Sequence, residues 1–174
     1  MRLDGRRTRT TVAGGVGLVL ALVAMAHGAS TTPNYGKLIV QSYKQKAPAT
    51  LGYHCVPKED GTGGVCTDAE YPLKFTNTVT IRPNGTVTVL LGAPADFLRW
   101  RTARIDGRGQ EQLTALGEGR AVTKTRKRWR IKLPKRISRT TDLMGFDVVY
   151  SNAYSSFEIG AKVGKTVPTK KKKS

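Results

Sequence analysis

Residues 78–91 read TVTIRPNGTVTVLL, and this stretch decides the fold. Val79 and Ile81 alternate with Thr78 and Thr80, and beyond the middle Val87, Val89 and Leu91 alternate with Thr86 and Thr88. A period of two sorts side chains onto opposite faces of an extended strand, so each arm has one apolar and one wet face. Leu73 and Phe75 extend the apolar face of the first arm, opposite Lys74 and Thr76. Between the arms, Arg82-Pro83-Asn84-Gly85 is a reversal, because proline fixes φ and Asn-Gly accepts φ > 0. The spacing predicts a β-hairpin with paired arms. Asn84-Gly85-Thr86 also fits a glycosylation acceptor, although the turn explains it more simply.

The same period continues toward the C-terminus. Leu98, Trp100 and Thr102 oppose Arg99 and Arg101, and residues 106–119 read as a polar, glycine-rich excursion. Trp129, Ile131 and Leu133 share one face of the next strand, then Phe146, Val148 and Tyr150, then Phe157, Ile159, Ala161 and Val163. No helical period persists beyond the N-terminal segment. Short strands between frequent turn signals predict an all-β chain, folded as an antiparallel two-sheet β-sandwich over residues 71–164. The order of parts resembles an immunoglobulin-like domain. Trp100 takes the place of the strand-C tryptophan, and residues 146–150 with 157–163 resemble the closing F–G hairpin. The chain departs from that family in having no cysteine in the strands the family's bridge joins, and a jelly-roll-like arrangement stays open.

On the N-terminal side, Arg2, Arg6, Arg7 and Arg9 precede an uncharged run from Thr10 to Ala26 that ends in Ala24-Met25-Ala26. Basic region, apolar core and small-residue site make residues 1–26 a signal peptide with a helical core. An uncleaved anchor over residues 10–26 is the alternative, although the run falls short of the ~20 residues a spanning helix needs. Either reading places the rest of the chain across a membrane, as a secreted, periplasmic or cell-surface protein. Residues 27–50 read as a linker in which Leu38-Ile39-Val40 forms one short strand. Residues 51–70 read as a disulfide-closed loop outside the sandwich, because Cys55 and Cys66 are the only cysteines and flank a glycine-rich turn. Such a closure contributes roughly 3 kcal/mol. A metal site joining both thiolates with His54 and Asp68 is the weaker alternative in oxidising surroundings. Residues 165–174, with Lys170 to Lys173, read as a basic disordered tail.

Thirty Lys and Arg against 12 Asp and Glu give a net charge of +18 over 174 residues. Residues 1–26 hold four of the arginines and one aspartate, so the remainder still carries +15. Residues 120–139 hold ten basic residues and no acidic one. Lys124, Arg126, Arg128, Arg130 and Lys132 recur at a spacing of two. One extended strand would project all five from one face, as a stripe of roughly 27 Å. Arg99 and Arg101 would widen it if they lie on the same sheet. Such a potential suits anionic cell-envelope polymers or lipid head groups, with nucleic acid a runner-up that export makes remote. The plainer reading is a solubilising face that guards against edge pairing.

Enzyme chemistry has little to stand on. Two histidines and two cysteines exclude a His/Cys zinc cluster and make no triad, and no cofactor motif is present. Asp147 and Glu158 would resemble a glycosidase dyad if they met across the last hairpin. More simply, each is an outward polar position that pairs with a nearby cation. The expectation is a non-enzymatic module without metal or cofactor. The alternative is a protein-recognition domain using the loops 93–96 and 151–154, anchored by Phe97 and Tyr154. A hydrolase comes third and needs a cleft holding His54 or a carboxylate pair.

Overall fold

The computed structural model describes residues 34–58, 64–69 and 75–168. Every regular element among them is a strand. The first six are β1 (Leu38–Ser42), β2 (Gln45–Pro48), β3 (Thr50–Pro57), β4 (Gly64–Asp68), β5 (Thr78–Ile81) and β6 (Thr86–Leu91). The others are β7 (Phe97–Ile105), β8 (Glu111–Glu118), β9 (Arg120–Ala121), β10 (Arg128–Lys132), β11 (Leu143–Tyr150) and β12 (Ala153–Val163). They form a five-stranded sheet, β2-β1-β6-β10-β9, packed on a seven-stranded one, β4-β3-β12-β11-β7-β8, with β5 joined to β12. Every pairing is antiparallel except β5 with β12.

Alternation builds the core as expected. Leu38, Val40, Val87, Val89, Trp129 and Ile131 from the smaller sheet meet Leu98, Trp100, Phe146, Val148, Phe157 and Ile159 from the larger. Phe146 lies directly between Trp100 and Phe157 in register, so three aromatic residues form a row across adjacent strands. Each large side chain buried in full stabilises the fold by roughly 1.5–3 kcal/mol. The tryptophan tips are satisfied: the Trp129 indole donates to the Arg126 carbonyl at 2.8 Å and the Trp100 indole to the Glu118 carbonyl at 3.3 Å.

The arms of residues 78–91 do not pair with one another. β5 runs beside β12 in the larger sheet, and β6 lies between β1 and β10 in the smaller. The reversal itself forms, with the Gly85 N–H donating to the Arg82 carbonyl at 2.8 Å and Asn84 at φ 57°. A Cβ on Gly85 would sit 2.6 Å from that carbonyl oxygen, so glycine is required there. The turn carries the chain from one sheet to the other. Alternation says which face is apolar, but backbone pairing depends on strands far away in sequence.

Three further expectations change. The linker and disulfide loop belong to the sandwich: β1 is an inner strand of the smaller sheet, and the β3–β4 hairpin extends the larger sheet beyond β12. The glycine-rich excursion contains β8, an edge strand hidden from pattern reading because Leu113 and Leu116 are 59% and 64% exposed. The start of the tail is tied down, with Val167 N–H donating to the Pro83 carbonyl at 2.9 Å. Cys55 and Cys66 face each other in register and are joined, with Cα atoms 4.1 Å apart. The signal peptide or anchor, the segment holding Leu73 and Lys74, and Lys170 to Lys173 lie outside the described residues. Among the described residues no helix is long and apolar enough to cross a membrane.

Candidate functional site

Acidic residues on the strands are confined to one sheet. The five strands of the smaller sheet contain no Asp or Glu, whereas Asp68, Glu111, Glu118, Asp147 and Glu158 all lie on strands of the larger one. On the outer face of the smaller sheet, β10 exposes Arg128, Arg130 and Lys132 while Trp129 and Ile131 point inward. Arg120 stands directly opposite Arg130, and the row continues through Thr88 and Gln41 to Lys46. Arg120 and Arg130 flank a depression of about 240 Å³ with Ala121 and Val122. Just past β10, Lys135, Arg136 and Arg139 line a second depression, of about 220 Å³, with Lys165.

The stripe of five is not formed as expected. Residues 123–126 make a turn with Arg126 at φ 50°, so Lys124 and Arg126 leave the strand. Arg126 donates to Asp96 at 2.8 Å. Arg128, Arg130 and Lys132 remain, spanning roughly 13 Å. Arg99 and Arg101 do not widen the patch, because β7 belongs to the other sheet. A stretch of spacing-two cations is compatible with a turn as well as a strand, and only the pairing of β9 with β10 resolves it.

Arg101 instead organises a cluster of carboxylates on the outer face of the larger sheet. It lies opposite Gly145 on β11, and Gly145 lies opposite Glu158 on β12, so the three residues form a row across three strands. The guanidinium passes over the bare glycine, where a Cβ would stand 2.6 Å from its Cζ and Nη1. Nη2 donates to Glu158 Oε1, Nε donates to Glu111 Oε2 at 3.1 Å, and Nη1 lies 3.7 Å from Asp147 Oδ1. Burial works against the Arg101 charge, but the Glu111 hydrogen bond and the three carboxylates raise its pKa above the ordinary value. Thus Asp147 and Glu158 are the cation-paired positions of the plainer reading, and Arg101 is engaged by acids and unavailable to a polyanion.

Glu158 is only 4% exposed, although it occupies a nominally outward position. Its Oε2 is buried and finds no hydrogen-bond donor among the described residues. Burial first, and then the charge of Glu111, push its carboxyl up to about 7 despite the opposing Arg101. Arg101, Glu111 and Glu158 line a cavity of about 440 Å³ with Tyr53, Asp68 and Ser156. No run of sequence announces this site, since its residues come from five strands. Gly145→Ala should push the guanidinium off Glu158 and cost about 1–2 kcal/mol in urea unfolding, whereas unchanged stability would show that the close passage is dispensable.

Comparison with protein-family models, curated proteins and solved structures found no match. The site is therefore read from its own geometry.

The remaining candidates are placed as follows. His54 Nδ1 and Ser155 Oγ lie 2.8 Å apart, and Ser155 is wholly buried. Among the described residues no group of three His, Cys, Asp or Glu could hold a metal ion. The loops 93–96 and 151–154 do share one end of the sandwich, where the Asp96 N–H donates to the Val149 carbonyl at 2.8 Å. Tyr154 is not a loop anchor: it lies on β12, donates to Asp147 at 2.9 Å, and packs edge-on to Tyr53. Burial, reinforced by Asp147, raises its phenol to about 12.

Proposed function

We propose that the chain is an exported, non-enzymatic β-sandwich module with immunoglobulin-like strand order, holding an anionic cell-envelope polymer on its five-stranded sheet. The order β1-β6-β10-β9 corresponds to A-B-E-D, and β12-β11-β7-β8 to G-F-C-C′, with β2, β3, β4 and β5 as additions. Trp100 then sits on strand C and the β11–β12 hairpin is F–G. Strand order speaks only to architecture. Residues 1–26 and the Cys55–Cys66 bond support export.

The observation that carries the binding reading is the absence of acid from all five strands while Arg120 and Arg130 stand face to face. Like charges directly opposed on a sheet destabilise it, and a phosphate or carboxylate seated between them relieves that repulsion. Binding of the full chain to labelled long-chain polyphosphate should weaken steeply with salt. Replacing Arg120, Arg128 and Arg130 by serine should lower the log–log salt slope by about 2 units, from ~0.7 per phosphate contact. Unchanged affinity and slope in the triple variant overturn the reading.

A further inference from the structure

Beyond Lys132 the outer face of the five-stranded sheet ends in a depression that the row of cations does not explain. Tyr43, in the two-residue turn between β1 and β2, is 58% exposed and has φ 54°. Glycine or asparagine adopts that left-handed conformation at less cost than an aromatic residue. The register that sets Ser42 against Val87 brings Tyr43 beside Thr86, and Lys132 stands opposite Thr86 on the other side. Arg82 lies over the Tyr43 ring, with its guanidinium carbon 3.4 Å from the ring centre. Its stem is held against Gly164, where an added Cβ would meet Arg82 Cγ at 3.4 Å. Tyr43, Arg82 and Thr86 line a depression of about 150 Å³, and among the described residues no Asp or Glu borders it.

We propose that this depression takes the acid group of one sugar unit, with the sugar ring laid on Tyr43, so that the polymer held by the basic face is an acidic polysaccharide. This rests on the binding reading above and narrows it. Arg101 and Arg126 are each paired with carboxylates, whereas Arg82 makes no hydrogen bond or ion pair with any described residue. Of its donors only the Nε one is shut off from solvent without an acceptor. Both terminal nitrogens are left as a fork for two oxygens of one acid group. The Lys132 ammonium donates to the Asn84 carbonyl at 2.6 Å, which holds a second cation beside Thr86. At about 150 Å³ the depression admits an acid group but not a whole sugar, whose ring must lie outside it. The exposed part of the Tyr43 ring is the apolar surface that meets it there. A polymer of bare phosphates has no such face to lay on the ring, so Tyr43 separates the two kinds of polyanion.

Anisotropy titrations of the full chain with fluorescein-labelled polygalacturonate and with labelled long-chain polyphosphate, at equal salt, test this. Both polymers should bind the native chain. Tyr43→Gly suits the left-handed backbone and should keep the fold. It should weaken polygalacturonate binding about tenfold, as loss of a stacking platform does, and change polyphosphate affinity less than about twofold. Arg82→Gln should also weaken polygalacturonate binding about tenfold, which keeps the test decisive if the turn variant misfolds. Failure of the basic-face reading shows with polyphosphate and the triple serine variant, and failure of the sugar subsite shows with polygalacturonate and Tyr43→Gly. No binding of polygalacturonate at a salt concentration where polyphosphate binds overturns the proposal. So do native polygalacturonate affinity in either single variant, equal losses for both polymers in Tyr43→Gly, and tighter binding of single-stranded polythymidylate than of polygalacturonate.

Discussion

Replacing Phe146 by alanine will lower the unfolding free energy by about 3–5 kcal/mol, the range for removing a buried aromatic side chain without collapse of the surroundings. Phe146 is 0% exposed and is flanked in register by Trp100 and Phe157, each on a neighbouring strand. Strands on both sides are locked by backbone hydrogen bonds, so they cannot close the space, and the opposing sheet is fixed by its own ladder. A domain of this size is stable by only about 5–15 kcal/mol, so the variant should populate the unfolded state at modest urea. Val149→Ala is the control: three residues along the same strand, Val149 is on the opposite face and 38% exposed, and its loss should stay within about 0.5 kcal/mol. Equal losses at both positions would contradict the inward–outward assignment of β11.

Replacing Arg101 by methionine will cost about 3 kcal/mol near pH 8 and much less near pH 5. Removing one partner from a buried ionic cluster leaves its counter-charges without compensation. Here those are Glu111, Asp147 and, once ionised, the nearly inaccessible Glu158. Glu158 has a folded pKa of about 7, above the ordinary 4.5. The protonated carboxyl therefore favours the folded state. That contribution is complete below the ordinary value and fades as pH rises through the folded one. In the variant the lowering influence of Arg101 is gone, so the fade starts from the same ordinary value but continues to higher pH and runs deeper. Urea unfolding across this window gives the difference directly. A deficit that does not change with pH would mean that Arg101 acts only by packing its aliphatic stem across β11.

Much of this molecule is legible one residue at a time. The inward positions of β7, β10, β11 and β12 coincide with the alternation in the sequence, down to Trp100, Trp129, Phe146 and Phe157. The cysteine pair follows from there being only two. What could not be read locally is of two kinds. β8 and β4 are edge strands without a single fully buried residue, so they lack the apolar rhythm that marks a strand. The charge stripe failed because Thr123 to Arg126 form a turn, and cations at a spacing of two carry no instruction against turning.

The sequence by itself determined a disulfide-closed, all-β chain whose alternation assigns side chains to core or solvent. It also determined a surplus of cations between residues 120 and 139, because these properties belong to single residues and their immediate neighbours. The tertiary structure alone decided that Arg82 to Gly85 link two sheets and do not close a hairpin. It likewise decided that acid is confined to one sheet, and that Arg101 lies over Gly145 to meet Glu158. Those outcomes depend on which distant strands share backbone hydrogen bonds, and strand pairing is set by the burial of the whole chain at once.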